Sequence, residues 1–226
     1  MSDLPTLMPL IQKSAEYLGA RGIGNARREA EWIFAEALQL SRLELYTRFD
    51  MPLDEPEVAR LRALVQRRGR REPLAYVLAN QPFRGLRLAV GPGVLVPRPE
   101  TEELVDRVLA DLPPGPARVL DIGTGSGAIA LAIKHERPAC SVEAVDISDA
   151  ALAFARANAA SLGLDVALRC ASLGDGAQPP YDLVVANLPY IAESERAQCD
   201  PELAFEPQEA LMAADDGLAL IALLIA

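Results

Sequence analysis

Histidine is nearly missing from this sequence, with His135 the one copy in 226 residues. The three cysteines, Cys140, Cys170 and Cys199, stand about thirty residues apart and form no CxxC pair. The chain therefore lacks the clustered nitrogen and sulfur ligands of a transition-metal centre, and no metal site is expected. Long apolar runs are missing too. The most hydrophobic stretch, Leu218 to Ala226, falls far short of the roughly 20 residues that span a bilayer. No basic segment leads into an apolar run at the N-terminus, so neither a targeting signal nor a membrane span is read, and reduced thiols in a cytoplasm are expected.

Positive charge is scarce. The 22 Lys and Arg face 32 Asp and Glu, a formal charge of -10, with a pI near 4.7. Affinity for phosphate backbones comes from counterion release by clustered cations, so direct binding of nucleic acid is not expected. Arg60 to Arg71 is a local exception, with six arginines and no acid. It reads either as a solvated helix face beside an acidic neighbour or as a docking surface for an anionic partner.

What is present is ordinary globular composition, 50% hydrophobic and 24% charged, enough for one sizeable core and a small extra domain. From residue 4 to 71, apolar positions such as Leu7, Leu10, Ile11, Ala15 and Leu18, then Ile33, Phe34, Ala37 and Leu38, recur at helical intervals. Gly22 and Gly24 separate the first two helical runs, and MPLDEPE sets off a third through Val65. From Pro73 to Pro99 short apolar runs broken by Pro and Gly suit a hairpin and a connecting segment. The expected organisation is a helical domain over 1–72, a hairpin or linker over 73–99, and an α/β domain over 100–226. In that last domain ARVLDIG, SVEAVD, DVALRC and YDLVVAN read as strands, and Ala128 to His135 and Asp149 to Leu162 as helices. The alternation and the continuous apolar strands indicate a buried parallel sheet. Such sheets bind ligands beyond the carboxyl ends of their strands.

Three sites fall there. Gly123, Gly125 and Gly127 form a turn after the first strand, where missing side chains let a ligand approach the backbone. A turn of this kind fits a dinucleotide fingerprint as well, so a nicotinamide cofactor is weighed. Asp121, just before the turn, would face a diphosphate unfavourably but suits the cationic amino group of a methionine moiety. Asp146 closes the second strand and can accept from ribose hydroxyls, while Ser148 or Asp149 is better placed to cap the next helix. Asn187, Leu188, Pro189 and Tyr190 end the fourth strand. An amide nitrogen is a poor nucleophile and must be held. Asn187 and the carbonyl of Leu188 can grip a planar NH2 group, Pro189 stiffens the loop, and Tyr190 offers a flat wall. Alone, this tetrapeptide would read as an ordinary strand-ending turn.

Together with EPLAYVLANQPFRGLRLAVGPGVLVPRPETEELVD and its PRPETE run, Pro97 to Glu102, these motifs resemble the HemK-like family of peptide chain release factor glutamine methyltransferases, over roughly Leu7 to Gly217. The resemblance implies a class I methyltransferase Rossmann-like sheet after a small helical, substrate-docking domain. It implies S-adenosylmethionine held by Asp121, Gly123, Thr124, Gly125, Ser126, Gly127, Asp146, Leu173 and Asn187. Asn187 to Tyr190 would hold the glutamine of the release factor's GGQ loop, with the chain acting as a monomer. Phe83 and Arg98 receive no role beyond packing and a hinge salt bridge.

Three departures from the family pattern stand out. Leu188 replaces the first proline of NPPY, at a cost of about 0.4 to 1 kcal/mol in loop rigidity. After the third strand, Ala171, Ser172, Leu173, Gly174 and Asp175 offer Leu173 to the adenine but displace the usual acid. Beyond Ala186 an acidic loop and the helix GLALIALLIA replace the family's C-terminal strands, so a truncated form is expected, with an uncovered strand edge and an unburied helix face. Competing readings are a ribosomal-protein glutamine methyltransferase, an adenine N6 methyltransferase on nucleic acid, and a non-catalytic adenosylmethionine-binding module.

Overall fold

The computed structural model describes residues 4–173, 175–214 and 217–225. The chain divides into two compact units between Leu78 and Ala79.

The first unit is helical, with α1 (Leu7–Gly19), α2 (Ala26–Leu38), α3 (Arg42–Thr47), α4 (Glu55–Gly69) and α5 (Leu74–Leu78). Leu7, Ile11 and Leu18 of α1 meet Ile33 and Phe34 of α2 and Leu61 and Val65 of α4 in one core. Their i, i+3, i+4 spacing places them on single helix faces. Ser41 with Glu44, and Asp54 with Glu57, close capping boxes that fix where α3 and α4 begin. α3 falls within the stretch expected to be helical, whereas α5 lies in the stretch expected to be hairpin and connection; at five residues it is too short to show a helical period.

Half of the arginine run is used within this unit. Arg67 pairs with Glu72 at 2.5 Å, Arg68 with Glu29 at 2.5 Å, and Arg71 donates to the Gly22 carbonyl at 2.8 Å. Arg60, Arg62 and Arg70 are exposed. The stretch is thus neither a wholly solvated face nor a continuous cationic surface.

The second unit opens with an antiparallel hairpin, β1 (Asn80–Phe83) and β2 (Leu86–Ala89). Arg84 and Gly85 at its tip both take positive φ, 46° and 76°, the turn whose twist suits a two-residue hairpin. The Arg84 guanidinium reaches Asp106 at 2.7 Å and Glu136 at 2.6 Å. That ties the tip to α6 (Pro99–Asp111) and α7 (Ala128–Glu136). Phe83, Leu86 and Leu88 enter the main core.

A four-stranded parallel sheet follows, built from β3 (Arg118–Ile122), β4 (Ser141–Asp146), β5 (Ala167–Cys170) and β6 (Leu183–Ala186) in the order β5-β4-β3-β6. α7 and α8 (Asp149–Leu162) make the crossovers. α7 buries six successive residues, Ala128 to Ile133. Strand order runs one way from β3 to β5 and then reverses to place β6 on the other side of β3, which makes a switch point where ligands bind in such sheets. β6 is an outer strand with Val184 about half exposed. Beyond it, three short 3-10 turns lead to a two-residue parallel pair, β7 (Ile191–Ala192) with β8 (Met212–Ala213), and then α9 (Ala219–Ile225). The stretch expected to be an acidic loop thus carries short ordered elements, and α9 falls within the expected helix GLALIALLIA.

Asn158 of α8 joins the hairpin to the glycine turn. Its Oδ1 accepts from Ala89 N–H at 2.7 Å, and its Nδ2 donates to the carbonyls of Ala89 (3.1 Å) and Ser126 (2.9 Å). The residue is buried, so losing it strands backbone groups away from water. We expect Asn158→Ala to lower the stability of this unit by about 1–3 kcal/mol, read from urea unfolding; an unchanged midpoint would show that water replaces the side chain.

Candidate functional site

The carboxyl ends of all four sheet strands open on one cavity of about 160 Å³. After β3 the turn is pinned to β4 by Gly123 and Thr124 N–H groups donating to the Val145 carbonyl at 2.9 and 3.0 Å. At Gly125 (φ 58°) a Cβ would meet only Val94, at 3.7 Å, so the backbone there faces open space. Gly127 is different. It begins α7 at φ 83°, and a Cβ would stand 2.9 Å from Leu131 and 3.3 Å from Ala155. Its bareness serves helix packing, and it is not on the cavity wall.

Asp121 lies beneath the turn, fully buried. Its Oδ2 accepts from Thr124 Oγ1 at 2.7 Å and from Ala130 N–H at 3.2 Å, while Oδ1 is buried without a partner. It does not line the cavity. Burial pushes its carboxyl up to about 7, with the nearby Asp146 charge adding to the rise against the hydrogen bonds from Thr124 and Ala130.

Asp146, at the end of β4, does line the cavity. Its Oδ2 accepts from Gly125 N–H at 2.8 Å and its Oδ1 from Ser148 N–H at 2.9 Å. Each carboxylate oxygen keeps a further lone pair for a hydroxyl donor. The cap of α8 falls to Ser148, whose Oγ accepts from Ala151 N–H at 3.3 Å. Ile147, exposed, and Leu173, held at φ 45°, add apolar wall together with Ala171. Gly174 lies outside the described residues, and Asp175 is not among the lining residues.

Asn187, Leu188 and Pro189 line this cavity and also a second one of about 310 Å³. Tyr190 lines only the second and is 65% exposed. Asn187 Nδ2 points at Thr101 Oγ1, 3.4 Å away in the first turn of α6. Its Oδ1 has no hydrogen bond among the described residues. Leu188 covers the glycine turn, since a Cβ on Gly123 would meet its Cδ2 at 3.3 Å.

The structure thus brings Gly123, Thr124, Gly125, Ser126, Asp146, Leu173 and Asn187 to Pro189 around one space, with Asp121 and Gly127 behind it. Sequence reasoning missed Thr101, Val94, Leu95 and Ile147, and the far wall formed by Pro207, Glu209 and Ala210. PRPETE was the one available signal for Thr101, and it carried no direction for the side chain. Among the described residues no group of His, Cys, Asp and Glu could hold a metal ion, and no helix is long and apolar enough to cross a membrane.

An apolar recess for a base, a carboxylate for ribose hydroxyls and a bare turn fit a nucleoside cofactor. The family described as "Methyltransferase small domain" matches residues 101–212, and "PrmC N-terminal domain" matches residues 9–78. The second unit is therefore that of an S-adenosylmethionine-dependent methyltransferase of the class I fold. A release factor glutamine methyltransferase of Geobacter sulfurreducens is 41% identical over 225 residues, covering 99% of this chain and 79% of the relative. One of Neisseria gonorrhoeae is 43% identical over 196 residues, covering 85% and 71%. A solved ribosomal protein L11 methylase from Lactobacillus delbrueckii subsp. bulgaricus is 32% identical, with a TM-score of 0.37 over 51% of this chain and 59% of its own. The chain belongs to the release factor glutamine methyltransferase family.

The raised Asp121 carboxyl has a sign that can be checked. Between its ordinary value of 3.8 and about 7 the folded protein binds a proton that the unfolded chain has released, so stability falls as pH rises through that window and levels off above it. At roughly 1.4 kcal/mol per pH unit the loss is at most a few kcal/mol. Asp121→Asn should remove this slope in urea unfolding of the cofactor-free protein from pH 4 to 8; a slope identical in both proteins would place the titration elsewhere.

Proposed function

We propose that this chain transfers a methyl group from S-adenosylmethionine to the side-chain amide nitrogen of the glutamine in the Gly-Gly-Gln loop of a peptide chain release factor, acting as a monomer in the cytoplasm. The observation that carries the reading is that Asn187 lines both cavities, with its amide nitrogen turned to Thr101 and its amide oxygen left for a guest.

In this reading the first cavity takes the cofactor and the second takes the glutamine side chain. Asp146 would accept from the ribose hydroxyls, Ile147 and Leu173 would hold the adenine, and the backbone at Gly123 to Ser126 would hold the methionine portion. Asp121 sets the turn from below, and its buried carboxylate favours a cation above it. Asn187 Oδ1 accepts from one N–H of the substrate amide, and the Leu188 carbonyl accepts from the other. Two acceptors on one NH2 group hold its nitrogen toward the first cavity and draw electron density onto it. Holding and desolvation supply the rate, because the lone pair is otherwise delocalised into the carbonyl. S-adenosylmethionine bound there would supply an electrophilic methyl group whose leaving group is a neutral thioether, so no acid is needed. The proton displaced from the methylated nitrogen passes to water. Tyr190 and the apolar side chains of Leu104 and Leu203 give the acceptor space its walls. The helical unit, with exposed Arg60, Arg62 and Arg70, supplies docking area for the protein substrate.

The direct test is mass spectrometry of release factor incubated with the protein and S-adenosylmethionine, where one added methyl on the Gly-Gly-Gln glutamine is expected. Label appearing in DNA or in ribosomal protein instead would overturn the substrate assignment. Asn187→Ala should lower turnover by about a hundredfold or more with cofactor affinity within about threefold by calorimetry. Asp146→Ala should do the reverse, weakening cofactor binding by about tenfold or more. Thr101→Val, which removes the partner that orients the amide, should lower kcat by roughly tenfold with little change in cofactor binding.

A further inference from the structure

Glu206 is a buried carboxylate in the acidic stretch after β6, only 3% exposed. Its Oε1 accepts from Arg98 Nη2 at 2.5 Å and its Oε2 from Val96 N–H at 2.9 Å. Burying a carboxylate is costly unless both oxygens are met, and here one is met by a charge and the other by the backbone. Among the described residues from 193 to 214, Glu206 alone is buried. None of the three 3-10 turns in that stretch buries a residue of its own. Glu206 is thus the buried attachment in the middle of this segment, whose far end is held by the pairing of β8 with β7.

What the segment carries makes that attachment matter. Pro207 and Ala210 are wall residues of the first cavity, and Leu203 and Ala210 of the second. The other end of the attachment lies in the turn before α6, three residues ahead of Thr101, which contacts Asn187. Arg98 sits between Pro97 and Pro99, and Pro207 follows Glu206, so the backbone is stiffened by proline on both sides of the pair.

We propose that Glu206 is a positioning residue for methyl transfer: paired with Arg98 and Val96, it fastens the segment from Leu203 to Leu211 as the shared wall of the cofactor and acceptor cavities. This rests on the reading that the second cavity takes the acceptor amide. Without the pair, the sheet and glycine turn persist while the wall loosens. The acceptor then meets a wider, less ordered space, and its binding suffers more than the chemical step.

The test uses Glu206→Ala, Arg98→Ala and the double variant of the full chain. With release factor as acceptor, Glu206→Ala should raise the acceptor KM by about tenfold or more while kcat changes by less than about threefold. S-adenosylmethionine binding, measured by calorimetry, should weaken by roughly threefold to tenfold through the shared wall. The double variant should be no worse than the worse single one, since the two residues act through one contact. Hydrogen exchange without any ligand should quicken in residues 196–211 and stay unchanged in β3 and β4. An unchanged KM, additive effects, or exchange that quickens through the whole unit would overturn the proposal. If the unaltered protein methylates no release factor, the substrate reading falls by itself. Cofactor calorimetry and hydrogen exchange would then still decide the role of Glu206.

Discussion

The site depends on one register. β6 pairs parallel to β3 with Ile122 opposite Ala186, so that the next residues, Gly123 and Asn187, leave the sheet side by side. The bare turn and the amide-headed loop are neighbours because of that alignment, and Leu188 touches the place where Gly123 has no side chain. A slip of one residue would turn every β6 side chain to the opposite face. Val185, buried against the main core, fixes the register against this. The same pairing creates the reversal of strand order, so the fold's ligand crevice and the loop that would hold the acceptor coincide by construction.

Charge is distributed to suit a cation. Burial, with the nearby Asp146 charge adding to it, pushes the Asp121 carboxyl up to about 7. A positive ligand group nearby would favour the ionised form of Asp121. A diphosphate would add to the strain, which gives the physical ground for preferring an adenosylmethionine over a dinucleotide in this turn. Both oxygens of Asp146 already hold backbone N–H groups of the turn and of the α8 cap region. The same carboxylate thus shapes the loop and remains able to accept from hydroxyls.

Much of the second unit was legible in the sequence because its signals are local. Ser141–Asp146 and Asp149–Leu162 coincide with the expected strand and helix, one from a short apolar run and the other from a period bounded by Ser148 and Gly163. Residues placed at strand ends, such as Gly125, Asp146 and Asn187, could be expected near a common crevice for the same reason. What stayed hidden was contact between distant parts. Thr101 meets Asn187 across 86 positions and Arg98 meets Glu206 across 108, and no spacing rule reaches that far. Asp121 was legible as an acid at a strand end, but its withdrawal beneath the turn follows from the φ angles of three glycines and the hydroxyl of Thr124. A one-dimensional pattern does not contain those angles.

Leu188 shows how a substitution can be absorbed in such a site. A proline there would stiffen the loop by limiting φ in the unfolded and folded chain alike. Leucine restores none of that, yet its side chain packs with Leu120, Ile122 and Val145. Burying part of a leucine is worth about 1.5 kcal/mol or somewhat less, comparable with the rigidity that a proline would have supplied. The two devices act at different points. Proline restrains the backbone before the loop folds, whereas leucine restrains it only once the loop has settled over the glycine turn. Order in the loop is thereby coupled to order in the turn, and a ligand that steadies the turn steadies the loop beside it.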